Sequence, residues 1–161
     1  MSRAALALLL FASAAFAQQR AIPLDQVKSG SAFLGSDLRS LQDDEFANPG
    51  MLWVERGEKI WREVAGKKNQ SCASCHQDAR SSMRAVAARY PRIDAASGKL
   101  LNLEGRINAC RVAHQGAEAF KYESEELLAI TAYIARQSRG ERIAVSIDGP
   151  ARAHFEVGEA A

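Results

Sequence analysis

The chain has 161 residues, of which 47% are hydrophobic and 25% charged, and its formal net charge is +2. This length accommodates one ordinary domain, and the balance of apolar and charged residues excludes a disordered chain or a coiled coil. The 21 lysines and arginines are scattered along the sequence instead of forming a basic stripe. Nucleic acid, whose binding depends on such a stripe, is therefore not an expected partner.

The N-terminal segment has the pattern of a secretory signal peptide. Arg3 precedes an apolar run from Ala4 to Phe16, which closes in a small-x-small ending at Ala17. A membrane-spanning helix needs about 20 apolar residues, so this run is too short to be one. We therefore predict that residues 1–17 are a signal peptide cleaved near Ala17, and that the exported protein has no membrane span.

Residues 18–47 show little periodicity, and we predict an N-terminal arm that is extended apart from one short helical turn. The first clear helix begins at Asn48-Pro49, because asparagine caps helices well and proline suits the first turn. Gly57 lies within the apolar stripe of this helix and costs about 1 kcal/mol of helix propensity relative to alanine. A glycine retained there predicts the close approach of another helix. The full stripe consists of Trp53, Gly57, Ile60, Trp61 and Val64.

Two further helices are predicted in the middle of the chain. A short helix runs from Ser81 to Tyr90 and ends at Pro91. Asn102 can cap a second helix, whose residues four and three apart share one face. That face holds Leu103, Ile107 and Cys110.

The last predicted helix has the strongest signals. Ser124 caps it, acidic residues occupy its first turn, and Gly140 follows as a stop. Its buried face is predicted to contain Leu127, Ile130, Tyr133 and Ile134. Beyond the helix, apolar residues that alternate with smaller or polar ones predict a short strand containing Ile143, Val145 and Ile147. With no βαβ alternation, the sequence predicts an all-α fold.

The sequence Cys72-Ala73-Ser74-Cys75-His76 carries the strongest chemical signal. Two thiols at this spacing can form thioethers with the two vinyl groups of one haem, and the adjacent histidine then lies under the iron as proximal ligand. Covalent attachment suits a small exported domain. We therefore predict one covalently bound haem c, attached to Cys72 and Cys75, with His76 as an axial iron ligand.

Three other uses of these cysteines compete with haem attachment. A structural disulfide leaves His76 unexplained and leaves a third thiol over in an oxidising compartment. A thioredoxin-like redox pair requires a βαβ context, which is missing. A zinc site built from the three cysteines and a histidine lacks the usual close spacing of its second ligand pair.

The second axial ligand is less well defined by the sequence. Met83 lies seven residues after His76, a short distance for a chain that must reach the opposite haem face. Cys110 and His114 lie 34 and 38 residues after His76, and their spacing of four places them on one face of a helix. Arg106 and Arg111 flank Cys110 and favour its thiolate, so Cys110 ranks slightly ahead and His114 is the fallback.

The order of elements resembles the class I cytochrome c fold. A first helix with Gly57 and Trp61, the haem motif, and a terminal helix with Leu128, Ala132 and Tyr133 follow each other as they do there. In that fold the first and last helices cross at the glycine. We accordingly assign residues 48–140 to a cytochrome c domain.

Several longer motifs are similar to those of the SoxA cytochromes of the sulfur-oxidising system. The similarity extends over residues 36–158, and its combination of motifs is specific. The motifs are QDD at 42–44, NPGMLW at 48–53, SCASCH at 71–76, EGRINACR at 104–111, ESEELLA at 123–129 and QSRG at 137–140.

The resemblance implies a function and partners. SoxA cytochromes pair in the periplasm with a small cytochrome, SoxX, and the pair oxidatively joins thiosulfate to a cysteine of the carrier SoxYZ. Diheme members carry two cytochrome domains in tandem, and this chain matches the first, with Cys110 at the position of a thiolate ligand. The domain with the catalytic haem has no counterpart here, so no catalytic residue is assigned. The alternative function is a simple haem c electron-transfer module without its own reaction.

Residues 141–161 are predicted to be an interdomain linker and the start of a missing second domain. The turn signal Asp148-Gly149-Pro150 precedes Phe155-Glu156-Val157-Gly158, in which Gly158 takes the place that Gly57 has in the first helix. This pattern predicts the opening of another helix and a chain that is a fragment of a longer protein.

Overall fold

The structure is a computed structural model that describes Gln26 and residues 28–160. The predicted signal peptide, residues 1–17, lies outside the described residues. Contacts divide the chain into two units, Met1–Ser40 and Leu41–Ala161. In the first unit a 3₁₀ turn at Gly30–Phe33 is followed by the start of helix α1, Ser36–Asp43. The predicted arm therefore contains more helix than its weak periodicity indicated.

The second unit consists mainly of helices. They are α2 (Gly50–Arg62), α3 (Cys72–His76), α4 (Ala79–Ser82), α5 (Leu103–Cys110), a π-helical turn (Arg111–Gln115), α6 (Glu125–Arg136) and α7 (Ala151–Glu159). A 3₁₀ turn covers Ala87–Arg89, and strands β1 (Arg92–Ile93) and β2 (Leu100–Leu101) form an antiparallel pair with Arg92 opposite Leu101. The all-α prediction is confirmed. No helix within the described ranges is both long enough and apolar enough to traverse a lipid bilayer.

The crossing of α2 and α6 forms the base of the core. Gly57 is buried at the crossing, and a Cβ atom added there would lie 2.1 Å from the carbonyl oxygen of Ala129 and 2.6 Å from Cβ of Tyr133. The predicted close approach of another helix at Gly57 is confirmed. Around the crossing, the buried apolar residues are Trp61, Ala79, Met83, Leu127, Ala129, Ile130, Tyr133 and Ile134.

Two members of the predicted α2 stripe are not in the core. Trp53 is 39% exposed and Val64 52% exposed. The helix ends at Arg62, and the extended backbone of Glu63 takes Val64 off the helical face. Helix α6 comes closest to α2 at Gly57, and Trp53 lies one helical turn before this point.

The prediction of a single helix from Ser81 to Tyr90 is wrong. Asp78 caps the short helix α4, and the hydroxyls of Ser81 and Ser82 donate to the Asp78 carbonyl at 3.0 and 2.9 Å. Ala85 then adopts a positive φ of 57°, which no continuous α-helix contains. Serine side chains that bond to the nearby backbone weaken helix propagation, and the positive φ of Ala85 ends the helical path.

The strand predicted at Ile143, Val145 and Ile147 is also wrong. Residues 141–147 are irregular, and Ile143 is 85% exposed. The amide of Ala144 donates to the Ala88 carbonyl at 2.8 Å, which is one bond to a neighbouring segment and not a strand ladder. The predicted helix around Phe155 is present as α7, in which no residue is buried.

Candidate haem site

A cavity of about 550 Å³ opens between α2, α3, α5, the π-helical turn and α6. Its volume falls in the range of about 300–1,000 Å³ that is typical of cofactor sites. Apolar side chains form most of its wall. Residues that bear chemistry and border it are Cys72, Cys75, His76, Tyr90, Arg106, Cys110, Arg111, His114 and Gln115. The structure thus brings every sequence-predicted site residue to one cavity.

Helix α3 presents the haem-attachment motif to this cavity. The side chain of Ser71 accepts from the Ser74 amide at 3.0 Å, and the Ser74 hydroxyl accepts from the Ser71 amide at 3.0 Å. This reciprocal capping box stabilises a helix of only five residues, which could not persist on its own propensity. One turn of helix places Cys72, Cys75 and His76 close together along the cavity wall.

The C-terminal end of α3 is anchored to the core by Trp61. The indole Nε1 of Trp61 donates to the carbonyl oxygen of Gln77 at 3.0 Å, and the Trp61 and His76 ring centroids are 5.8 Å apart. Gln77 has φ 56° and ψ −128°, a backbone conformation that costs about 1–3 kcal/mol in a residue with a side chain. The bond from Trp61 helps to hold this strained conformation directly after His76.

The pKa of His76 favours the protonation state that binds a metal. Partial burial lowers the pKa of His76, and the charges of Arg106 and His114 lower it further. A lowered pKa favours the neutral imidazole, which is the form that coordinates a metal.

The three cysteines are free thiols, so the disulfide alternative has no support in the structure. Burial raises the pKa of the Cys72 thiol, and Gln115 donates through Nε2 to its sulfur at 3.8 Å. Gln115 is itself buried. The described residues contain no group of three or more histidine, cysteine or acidic side chains placed to hold a metal ion.

Another part of the wall comes from α5 and the π-helical turn. Asn102 caps α5 as predicted, accepting from the Gly105 amide at 2.8 Å. Cys110 ends α5 and is half-buried, whereas His114 lies in the wider π turn and is exposed. Both border the cavity, as does Met83, whose side chain is buried in the core.

Two arginines border the cavity in different settings. The guanidinium of Arg111 lies 3.9 Å over the ring of Phe120, and its Nε donates to the Glu118 carbonyl at 2.8 Å. Nη1 of Arg106 instead donates to the carboxylate of Asp94 at 2.9 Å. Hydrogen bonds from Ser97, together with Arg106, hold the pKa of Asp94 below its ordinary value, so this carboxylate stays charged.

Sequence reasoning did not identify three features of this site. The Asp94–Arg106 pair depends on the β1–β2 hairpin, which has strands of only two residues and no clear sequence pattern. The contacts of Gln115 with Cys72 and of Trp61 with Gln77 join residues 43 and 16 positions apart. No local signal marks such pairs, although Trp61 lies in the apolar stripe that the sequence predicts for α2.

The site fits a haem. An apolar cavity of cofactor size, two thiols and a histidine on one helical turn, and further sulfur and imidazole donors on a second segment of the wall are the features of a c-type cytochrome domain. The protein-family model described as the SoxA/TsdA cytochrome c domain matches residues 56–143 of the chain. The chain belongs to this family.

Named relatives and a solved structure agree with this assignment. SoxA of Pseudaminobacter salicylatoxidans, described as an L-cysteine S-thiosulfotransferase subunit, is 44% identical over 85% of this chain and 48% of its own length. The corresponding subunit of Rhodovulum sulfidophilum is 37% identical over 83% of this chain and 47% of its own. A crystal structure of SoxXA from P. pantotrophus matches 83% of this chain and 50% of that chain, with a TM-score of 0.77 and 38% identity. The resemblance to SoxA and the cytochrome c-like fold are confirmed.

A thiosulfate dehydrogenase (TsdBA) structure from Marichromatium purpuratum shares the fold, with a TM-score of 0.53 and 22% identity over 58% of this chain and 24% of that chain. The chain spans about half the length of the SoxA relatives that it matches.

Proposed function

We propose that the cavity holds one haem c, bound covalently through Cys72 and Cys75, with His76 and Cys110 as axial iron ligands. The observation that carries this proposal is that these four residues border one cavity in a cytochrome c domain. Cys110 is preferred to His114 because it is half-buried at the wall, whereas His114 is exposed. Met83 belongs to the buried core and follows His76 closely in the chain.

When bound, the haem supplies one-electron redox chemistry. The residues of the chain supply attachment, orientation and a dry environment. Trp61 holds the backbone that follows His76, and the neutral imidazole of His76 is available for coordination. Ile107, Ile130 and Ile134 keep water from the interior of the site.

The function proposed for the chain is that of a SoxA cytochrome domain in the periplasm. There, paired with a SoxX-like cytochrome, it would help to attach thiosulfate oxidatively to a cysteine of a SoxYZ-like carrier. The description of the SoxA relatives as L-cysteine S-thiosulfotransferase subunits supports this proposal. Residues 48–140 would be the haem-binding domain, residues 18–47 an arm and 141–161 a linker, while residues 1–17 would direct export. No residue is assigned a catalytic role.

Mass spectrometry of the exported protein tests the attachment. We expect the intact mass to exceed that of the polypeptide by one haem, and digestion to yield a haem-bearing peptide that contains both Cys72 and Cys75. Cys72→Ala and Cys75→Ala should each lose one thioether. Cys110→Ala, the matched cysteine control, should retain both. A wild-type protein without a haem adduct would overturn the proposal.

An activity assay distinguishes the SoxA role from a simple electron-transfer module. The haem-loaded chain is mixed with SoxX, SoxYZ and thiosulfate, and the carrier cysteine is followed by mass. We expect binding to SoxX but no robust turnover, because thiolate ligation gives this haem a low potential at which it accepts electrons poorly. Robust turnover would show that this domain itself carries out the reaction. A chain that binds neither partner would favour the electron-transfer module.

A further inference from the structure

A second, smaller cavity of about 210 Å³ adjoins the main one. Tyr90 and Arg106 border both cavities, so they stand at the boundary between them. The other residues around the small cavity come from the β1–β2 hairpin and include Asp94 and Arg92. A phenol and a guanidinium at one boundary form a set of donors that suits a carboxylate.

The guanidinium of Arg106 is held in place by Asp94, which also borders the small cavity. It donates to Asp94, whose side chain is only 10% exposed and accepts from both the amide and the hydroxyl of Ser97, at 2.9 and 2.7 Å. Asp94 is further fixed by the hairpin, since its amide donates to the Lys99 carbonyl at 2.8 Å. A guanidinium has five N–H donors, so the bond to Asp94 leaves others for a ligand in the cavity.

The carboxylates of a haem require hydrogen-bond donors of this kind. A haem carries two propionate carboxylates on the edge of the macrocycle opposite the vinyl groups. Attachment at Cys72 and Cys75 therefore directs the carboxylates away from the thioether end. Carboxylates that leave water need charge-assisted hydrogen bonds to offset their desolvation.

Arg111 is the other arginine on the wall, and its position does not suit this role. It lies at the thioether end, because Gln115, to which its Nη1 donates at 3.4 Å, in turn donates to the sulfur of Cys72. Its guanidinium is also stacked on Phe120 and bound to the Glu118 carbonyl. Among the residues that the structure describes, the guanidinium of Arg106 donates to Asp94 and makes no hydrogen bond to a group at the thioether end.

We propose that Arg106 and Tyr90 bind a propionate of the haem at the boundary of the two cavities, and that Asp94 is the positioning residue that aims Arg106. This inference rests on the proposed function, since it requires a haem in the main cavity. It adds a binding subsite that fixes the orientation of the macrocycle at the end remote from Cys72 and Cys75.

The test uses the full-length, haem-loaded protein and resonance Raman spectroscopy, whose propionate-bending bands report hydrogen bonds to the propionates. We expect Arg106→Gln to shift these bands, and to lower the midpoint potential at mildly alkaline pH because a cation beside the haem is lost. Tyr90→Phe should shift the bands without a change of charge. Asp94→Asn should produce a smaller band shift than Arg106→Gln.

Arg84→Gln is the matched control. Arg84 also pairs, at 3.0 Å, with the carboxylate of a residue far away in the sequence, Glu141, but it does not border either cavity. It should leave the propionate bands unchanged. Wild-type bands in haem-loaded Arg106→Gln would overturn the inference. If Arg106→Gln fails to accumulate, the spectra of Arg106→Lys and Tyr90→Phe test the inference instead. Wild-type bands in both of these variants would overturn the inference. A wild-type protein without haem would instead contradict the proposed function.

Discussion

Replacing Cys110 by alanine is expected to remove the low-spin thiolate signature from the EPR spectrum of the ferric haem and to raise its midpoint potential. A thiolate donates charge to the iron and stabilises the ferric state, so its loss makes reduction easier. Cys110 ends α5 at the cavity wall, and alanine suits this helical position. The variant should therefore still fold and retain its covalent haem. EPR and a potentiometric titration measure the two effects.

His114→Ala is the control for this prediction. His114 borders the same cavity four residues further on, in the π-helical turn, but is exposed. We expect its replacement to leave the EPR spectrum unchanged. A Cys110→Ala spectrum that matches the wild type, together with an altered His114→Ala spectrum, would transfer the ligand assignment to His114.

Replacing Gly57 by alanine should strongly destabilise the protein. The added Cβ would lie 2.1 Å from the Ala129 carbonyl oxygen, a main-chain atom that cannot move without separating α2 from α6. Overpacking of this kind typically costs about 1–3 kcal/mol and occasionally more, and we expect the upper end of this range. The gain of about 1 kcal/mol in helix propensity offsets only part of that cost.

Denaturant unfolding of the haem-loaded protein measures this effect, with Gly158→Ala as the matched control. Gly158 is also a helical glycine, in α7, but a Cβ there would meet no atom within 4 Å. Its replacement should be neutral or slightly stabilising. Equal stability of Gly57→Ala and the wild type would show that the helix crossing can open at no cost.

The elements that the sequence predicts well are those whose signals are local. Ser124 and Asn102 cap α6 and α5 as predicted, because an N-cap acts on amides two or three residues away. The buried face of α6 follows from the helical spacing of its apolar residues. Gly57 is the instructive case, since a residue unfavourable in a helix indicates a contact with another helix, at Ala129, 72 positions further along the chain.

The features that were not predicted depend on contacts made only in the folded chain. The positive φ of Ala85, which interrupts the segment after α4, has no sequence signal, because alanine is a strong helix former. Ile143, Val145 and Ile147 have the alternation of a strand, but a strand also requires a partner. The boundary between the two cavities arises from the hairpin at Asp94 and from α5, which are brought together only by the fold.

The backbone pairing around Gly66 has a consequence for how the two sides of the cavity can vary in length. The amides of Lys67 and Lys68 donate to the carbonyls of Gly116 and Gln115 at 3.2 and 3.0 Å. Gly66 has φ 69°, and a Cβ there would lie 2.3 Å from the Gln115 carbonyl oxygen. These main-chain bonds tie the loop that precedes α3 to the end of the π-helical turn. Substitutions of Lys67 should therefore be tolerated, whereas those of Lys68 also remove the bond from its Nζ to the Ala113 carbonyl at 2.7 Å. A one-residue insertion or deletion between Gly66 and Ser71 should displace the attachment cysteines from the segment that carries Cys110.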